Sequence, residues 1–274
     1  VSAEVDRARA TIDATHEERT NVRFQTTLSF AVLEGGEGPA WFLSRGFGAK
    51  YLRYVDLRWF NLGRGPAAKC MIAAKEYDAP LFTVCNFCGH LDSQKGANSK
   101  WDHRPWCPKR NAREEESVTV ALGRTLQTQG VLLHLPVSLT AADHATIPSL
   151  TAAIKLGFKQ VFGGDPEHLN VATVRVPDPR GNTVDALLIH DNVPGGTGYL
   201  SQFASPDAVR GLLENAFAKV KACPCVDDER LACPKCLLPY TNPQQLDVTS
   251  RAAAERALRS ILTNQDYPSS DVDP

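Results

Sequence analysis

The sequence predicts an α/β domain: a mixed sheet with flanking helices, closed by one or two zinc-binding knuckles. Three observations predict it. Short apolar, β-branched runs alternate with segments of helical periodicity through the C-terminal half. Seven of the eight cysteines fall into two tight groups, Cys85, Cys88 and Cys107, then Cys223, Cys225, Cys233 and Cys236, with Cys70 apart. Between strand and second group, the apolar run Ala186-Leu187-Leu188-Ile189 ends in His190-Asp191 and opens onto a turn containing Pro194, Gly195, Gly196 and Gly198.

The bulk numbers suit this class. A chain of 274 residues, 43% apolar and 22% charged, can bury a sizeable core and is no disordered segment. A net charge of -1 lacks the basic excess of a nucleic-acid module, so any DNA contact must be local or supplied by another part of the protein. No apolar run approaches the roughly 18 residues of a membrane span and no signal peptide opens the chain, so the expected location is cytoplasmic, with no membrane partner. The chain begins at Val1 within a charged helical pattern, which reads as a piece of a longer polypeptide. Residues 1–20 are expected to be a linker or the tail of a preceding segment, 21–264 one zinc-binding domain, and 265–274 a frayed tail.

Taken in order, Val22 to Leu33 reads as strand, closed by a Gly-rich turn. Trp41 to Phe60 is aromatic with interleaved Arg45, Arg53 and Arg58; it reads as a core segment whose arginines snorkel or pair, a stacking surface being the alternative. Leu81 to Val84 is a strand feeding Cys85. Glu114 to Gln129 places Val118, Leu122 and Leu126 at helical spacing behind three glutamates, predicting a helix that Gly130 stops before a strand over Val131 to Pro136. His134 inside that strand reads as a core histidine. Ser149 to Phe162 is a second helix. Leu169 to Val176 and Val184 to His190 form strands around the turn Asp178 to Asn182, Pro206 to Lys221 is a helix, and Arg251 to Leu262 is the last.

Cys223-Pro-Cys225 and Cys233-Pro-Lys-Cys236 offer four thiolates from two short, proline-stiffened turns, a set able to close a tetrahedron around Zn2+. With four protein ligands such a site has no open position and is structural. Upstream, Cys85, Cys88 and Cys107 need a fourth ligand. His103, four residues before Cys107, is the preferred one, and His90 competes. The alternative is a single zinc ion, with the upstream thiols merely buried.

The glycine turn could approach a phosphate, but it also suits close packing of strand on helix. It carries no Lys-Ser/Thr pair, and G-x-x-x-x-G-K-[S/T] occurs nowhere, so the chain cannot run ATP hydrolysis by itself. Asp191 is expected to cap the turn by accepting from its amides. With no nucleophile elbow and no H-E-x-x-H, no catalytic residue is assigned; His190 and Asp191, with a metal or Ser201, would be the choice for a hydrolase.

The run HDNVPGGTGYL, a helix, and then C-x-C and C-P-x-C resemble the DUF1998 or MrfA-type zinc-binding C-terminal domain of DEAD/DEAH-box superfamily 2 DNA helicases, found also in DISARM-like antiphage components. His190 stands where the family commonly has an aromatic. The likeness spans about Phe82 to Tyr240. It implies a bacterial accessory domain that contacts single-stranded DNA or docks on a motor, in cis or in trans, during repair or phage defence. A basic stretch suits that: Arg58, Arg64, Lys69, Lys100, Arg104, Lys109, Arg110 and Arg113, with Trp101 and Trp106 among them. A metal-dependent nuclease or hydrolase using Asp191 and His190, and a protein-docking module, are the other readings.

Overall fold

The computed structural model describes residues 26–62, 69–72, 75–78, 81–89, 103–110, 117–141, 143–164, 166–178, 181–227, 230–242 and 245–263. The chain divides into two compact units, one made of residues 1–27 and 59–124, the other of 28–58 and 125–274.

The larger unit is built on a sheet. Its strands are β1 (Thr26–Val32), β2 (Glu37–Ser44), β3 (Phe47–Asn61), β8 (Leu122–His134), β9 (Leu169–Pro177) and β10 (Thr183–Asp191); the β4 to β7 that intervene in sequence are described with the smaller unit. The order is β1-β3-β8-β10-β9, with β2 paired to β3. The pairings with described register, β2–β3, β8–β10 and β9–β10, are all antiparallel, where the sequence suggested a mixed sheet. The reason lies in the connections. β8 and β9 run the same way and are joined through helix, as a parallel crossover would be. The short turn at Asp178 to Asn182 then returns β10 into the gap between them, so like-directed strands do not touch.

Ala186, Leu187, Leu188 and Ile189 of β10 are all fully buried. Burial on both faces explains a continuous apolar run instead of alternation. Leu187 and Ile189 enter the main core with Val131 and Leu133 of β8 and with Trp41, Phe47 and Tyr51 from the β2–β3 hairpin. The aromatic segment Trp41 to Phe60 is therefore core strand. Of its arginines, Arg58 pairs with Asp56 at 2.7 Å.

The α-helices among the described residues are α1 (Val137–Thr140), α2 (Thr146–Phe162), α3 (Pro206–Lys221) and α4 (Arg251–Thr263). In α3, Pro206 fits the first turn, where its missing N–H costs nothing. Val209, Leu212, Leu213, Ala216 and Val220 form one buried stripe that packs into the same core as Ile154 and Phe158 of α2 and Ala257, Leu258 and Ile261 of α4. The fully buried Ser149 hydroxyl of α2 accepts from the Ser250 amide at 2.8 Å, pinning the start of α4.

The smaller unit contains the hairpin β4 (Lys69–Ile72) with β5 (Lys75–Asp78), and the pair β6 (Phe82–Cys85) with β7 (Ser117–Val120). The helix expected over Glu114 to Gln129 is not there: residues 117–120 and 122–134 are strand. Val118, Thr119, Val120, Thr125 and Thr128 are β-branched and lose side-chain freedom in a helix. Leu126 and Thr128 alternate with the exposed Thr125 and Gln127, a period of two. Gly130 is no helix stop either. A Cβ there would come within 3.1 Å of Leu188 Cδ1 and 3.3 Å of the Ile189 carbonyl, so glycine lets β8 lie against β10. Among the described residues, no helix is long and apolar enough to cross a membrane.

Candidate metal centres

The four-cysteine group is delivered by the end of α3. The helix stops at Ala222, Cys223 follows at once, and a 3-10 turn over Pro224–Asp227 brings Cys225 back beside it. The second turn is closed by the Cys236 and Leu238 amides, which both donate to the Cys233 carbonyl, at 3.1 and 3.3 Å. The Leu231 carbonyl accepts from the Arg251 amide at 2.7 Å, which ties the loop to the start of α4. All four thiols are buried, as part of the same core that holds α3 and Leu237.

The sulfur geometry matches a metal tetrahedron. Zinc–thiolate bonds of about 2.3 Å imply edges of roughly 3.8 Å. The Sγ separations are 3.4 Å for Cys223–Cys225, 3.5 Å for Cys223–Cys233, 3.6 Å for Cys233–Cys236 and 3.8 Å for Cys225–Cys236. Disulfides would need about 2.05 Å, and all seven cysteines of the two groups are free thiols. The Cys233 amide points at Cys236 Sγ, 3.4 Å away, a donor suited to a thiolate. Burial and the neighbouring thiols raise Cys225 well above its ordinary value, and burial raises Cys236. Burial also pushes Cys233 upward, but the Lys235 amide and the surrounding thiols outweigh it and bring that group down to about 7. Crowded, buried sulfurs of this kind need a cation to be held together as thiolates.

The upstream group has the same design with less around it. Cys85 ends β6, and the Gly89 amide donates to its carbonyl at 2.9 Å, curling Cys88 back. Turns over Arg104 to Cys107 and Cys107 to Arg110 place His103 and Cys107 on one side. Nδ1 of His103 lies 3.5 Å from both Cys88 Sγ and Cys107 Sγ, and Cys85 Sγ lies 3.9 Å from Cys107 Sγ. A zinc ion with one imidazole and three thiolates implies sulfur–nitrogen edges of roughly 3.5 Å and sulfur–sulfur edges of roughly 3.8 Å. Burial raises the Cys107 thiol. The donor atoms of each group lie within 4.8 Å of one another, and the two clusters fit one or two zinc ions. His90, the competing ligand, lies outside the described residues.

Asp191 sits at the end of β10, fully buried. One carboxylate oxygen accepts from the Val193 amide at 2.8 Å; the other accepts from the Thr197 amide at 2.7 Å and from the Thr197 hydroxyl. Gly195, Gly196 and Gly198 all have φ between 77° and 85°, the left-handed region that favours glycine. From β8, the Thr128 hydroxyl donates to the Val193 carbonyl at 2.9 Å, and the Gln127 carbonyl accepts from the Gly195 amide at 2.9 Å. The carboxylate is thus the hub of a turn. Sequence reasoning missed Thr197, Gln127 and Thr128 as its partners; only Thr197, inside the glycine run, gave any signal. His190 is 1% exposed and held down to about 4, mainly by burial and also by Lys155, against the opposing pull of Asp191. Ser201 donates to the Gly198 carbonyl at 2.6 Å.

Of the basic and aromatic residues singled out in the sequence, Arg104, Trp106, Lys109 and Arg110 surround Cys107, with Arg104, Trp106 and Arg110 exposed. Lys69 pairs with Glu76 on the β4–β5 hairpin. Arg64, Lys100, Trp101 and Arg113 lie outside the described residues.

Comparison with curated proteins gave no match. Among solved structures, the crystal structure of the DUF1998 helicase MrfA bound to DNA is similar at 15% identity and a TM-score of 0.46, covering 88% of this chain and 26% of that one. The chain thus spans about a quarter of that protein's length. Residues 150–237 match the family model of the MrfA Zn-binding domain. That segment runs from α2 through β9, β10, the glycine turn and α3 to the last of the four clustered cysteines, and with it the chain carries an MrfA-type zinc-binding domain.

Proposed function

We propose that this chain is a zinc-stabilised accessory domain of an ATP-dependent DNA helicase. It contacts single-stranded DNA beside the motor, which lies in the same polypeptide or in a partner, in bacterial DNA repair or phage defence in the cytoplasm. The observation that carries the reading is the four-cysteine group set into the core of the segment that matches the MrfA Zn-binding domain. A metal held by four buried protein ligands offers no open position for chemistry, so its work is to hold a shape. Cys223, Cys225, Cys233 and Cys236 would hold one zinc ion, and Cys85, Cys88, His103 and Cys107 a second. Asp191 and His190 serve the fold: the carboxylate is spent on the glycine turn and the imidazole is buried and neutral, so neither is offered to a substrate. That disfavours the hydrolase reading.

The test is one sample measured twice: zinc per chain by elemental mass spectrometry, and binding of fluorescein-labelled oligo-dT by anisotropy across a salt series. One or two zinc ions per chain and an affinity that falls with salt are expected. A zinc-loaded chain that ignores oligo-dT even at low salt overturns the DNA contact and leaves a protein-docking module.

A further inference from the structure

We propose that the open edge of β8 at Thr125, with the groove between Tyr54 and the glycine turn beside it, docks an extended, uncharged segment of a partner protein, which joins the sheet as a further strand. The inference goes beyond the helicase reading and does not rest on it.

β8 outruns its neighbour. β10 is in register with it from His134 back to Gly130, whereas β8 begins at Leu122. Past Asp191 the chain turns away, and one backbone bond still crosses the gap, from the Gly195 amide to the Gln127 carbonyl at 2.9 Å. Gln127 therefore turns its backbone groups toward the side that β10 has left. Alternate residues of an antiparallel strand do so together, so the amide and carbonyl of Thr125 face the same way. Among the described residues no strand and no backbone bond meets them there. Unpaired strand groups are a template for another chain, and sheets cover them where pairing is unwanted. The outer strand β9 is covered in this way: the Asn170 carboxamide oxygen accepts from the Val171 amide at 2.9 Å, and Pro177 ends the strand.

The groove offers a docked segment room for a side chain. It is a cavity of about 460 Å³ over Thr125 to Thr128, with Leu33 and Tyr54 lining one side and Pro194 and Gly195 the other. Leu126 supplies buried apolar surface, and Tyr54, 57% exposed between the fully buried Leu52 and Val55, supplies an amphipathic ring. A Cβ at Gly195 would meet nothing within 4 Å, so the turn leaves the groove clear. The three bonds to the Asp191 carboxylate already fix that turn, so docking need not order it. No lining side chain is charged. The hollow that shares Leu33 with the groove carries Glu34 and Glu37, the latter paired with Lys50. Arg53 alternates to the opposite face of β3 from Tyr54, and Arg124 lies over the Trp59 ring. The groove thus complements an uncharged segment and has no excess of cations for a phosphate chain. A neutral groove beside an unpaired amide and carbonyl recognises a polypeptide backbone with an apolar side chain next to it.

The experiment selects a phage-displayed library of random dodecapeptides on the whole chain. The selected peptides are then measured as synthetic peptides on Thr125→Pro, Thr125→Val and Tyr54→Ala, with zinc content and circular dichroism on each variant. They are expected to be uncharged and rich in β-formers. Affinity should fall about tenfold or more on Thr125→Pro, which removes the amide, and on Tyr54→Ala. Thr125→Val keeps the amide and the strand preference and should bind like the wild type. By hydrogen exchange the Thr125 amide should be open in the free chain and protected by the peptide. If Thr125→Pro fails to fold, Tyr54→Ala and the exchange readout decide. A Thr125 amide already protected in the free chain, peptides that bind every variant alike, or a library that yields no binder overturns the proposal. Self-association abolished by Thr125→Pro would make a second copy the occupant, and protection of Thr125 by oligo-dT would make it single-stranded DNA; either result overturns a partner protein.

Discussion

The two metal groups offer nearly the same ligands to nearly the same geometry, yet they stand in opposite surroundings. Cys223, Cys225, Cys233 and Cys236 belong to one continuous core with the stripe of α3, the aromatic rings of α2 and a face of the sheet. Cys85, Cys88 and Cys107 form a buried cluster that, among the described residues, contains no other apolar side chain. In the first place a metal would finish a structure that apolar burial already supports. In the second the metal is the core, as in small domains that cannot bury enough surface to fold alone.

Zinc removal is the largest test of that contrast. Structural zinc in small peptides contributes about 10–16 kcal/mol, and where it is the core that free energy is the folding free energy. With a strong chelator, hydrogen exchange should rise to the unprotected rate at residues 82–85 and 117–120, which pair as β6 and β7. Residues 212–220 of α3 should keep most of their protection. Loss of α3 protection first would break the contrast.

What could be read from sequence follows the same division. The segment with a large core was legible because its burial is periodic: the Pro206 to Lys221 helix, the strands around Asp178 to Asn182 and the last helix were all drawn close to their observed bounds. The convergence of each cysteine group was legible because ligand spacing is local chemistry. Glu114 to Gln129 was not. Its apolar residues satisfy a helical period by coincidence, and what decides its conformation is strand pairing distant in sequence: residues 117–120 pair with β6, and β8, which begins at Leu122, lies between β3 and β10 in the sheet. The antiparallel insertion of β10 between β8 and β9 is likewise a long-range fact. Partners of the glycine turn such as Thr128, which donates to the Val193 carbonyl, could not be read because they sit on another strand.

Packing in the cored region supplies the next effect. Leu212 is fully buried in the α3 stripe, and Leu212→Ala should cost about 2–5 kcal/mol, read as a fall in the denaturation midpoint with zinc content unchanged. A midpoint that stays put would mean that the metal, not apolar burial, holds this region too.

His190 gives the cored region a pH dependence of its own. Its folded value of about 4 lies below the ordinary 6.5, so between those values the unfolded chain binds the extra proton. Stability is therefore full above about 6.5 and falls as pH drops toward 4, by at most about 3 kcal/mol. The groups acting on the imidazole are Lys155, which disfavours its charging, and Asp191, which favours it. Acid also protonates thiolates and releases zinc, so the quantity to measure is the difference between the wild type and His190→Gln across this range. A wild-type curve no steeper than that of the variant would show that the buried imidazole carries none of the dependence.

The smallest effect tests the coreless group. Lys109 over Phe87 is the one cation–ring contact described in this knuckle, and an exposed contact of that kind contributes about 0.5–1 kcal/mol. Lys109→Met keeps the length and apolar stem of the side chain and removes the charge. If metal ligation alone sustains the knuckle, competition with a zinc chelator should shift by no more than about fivefold, and exchange at residues 82–85 should be unchanged in the loaded protein. A larger shift would mean that side-chain contacts outside the ligand sphere carry part of the knuckle's stability. The upstream group would then stand closer to the cored one than its buried residues suggest.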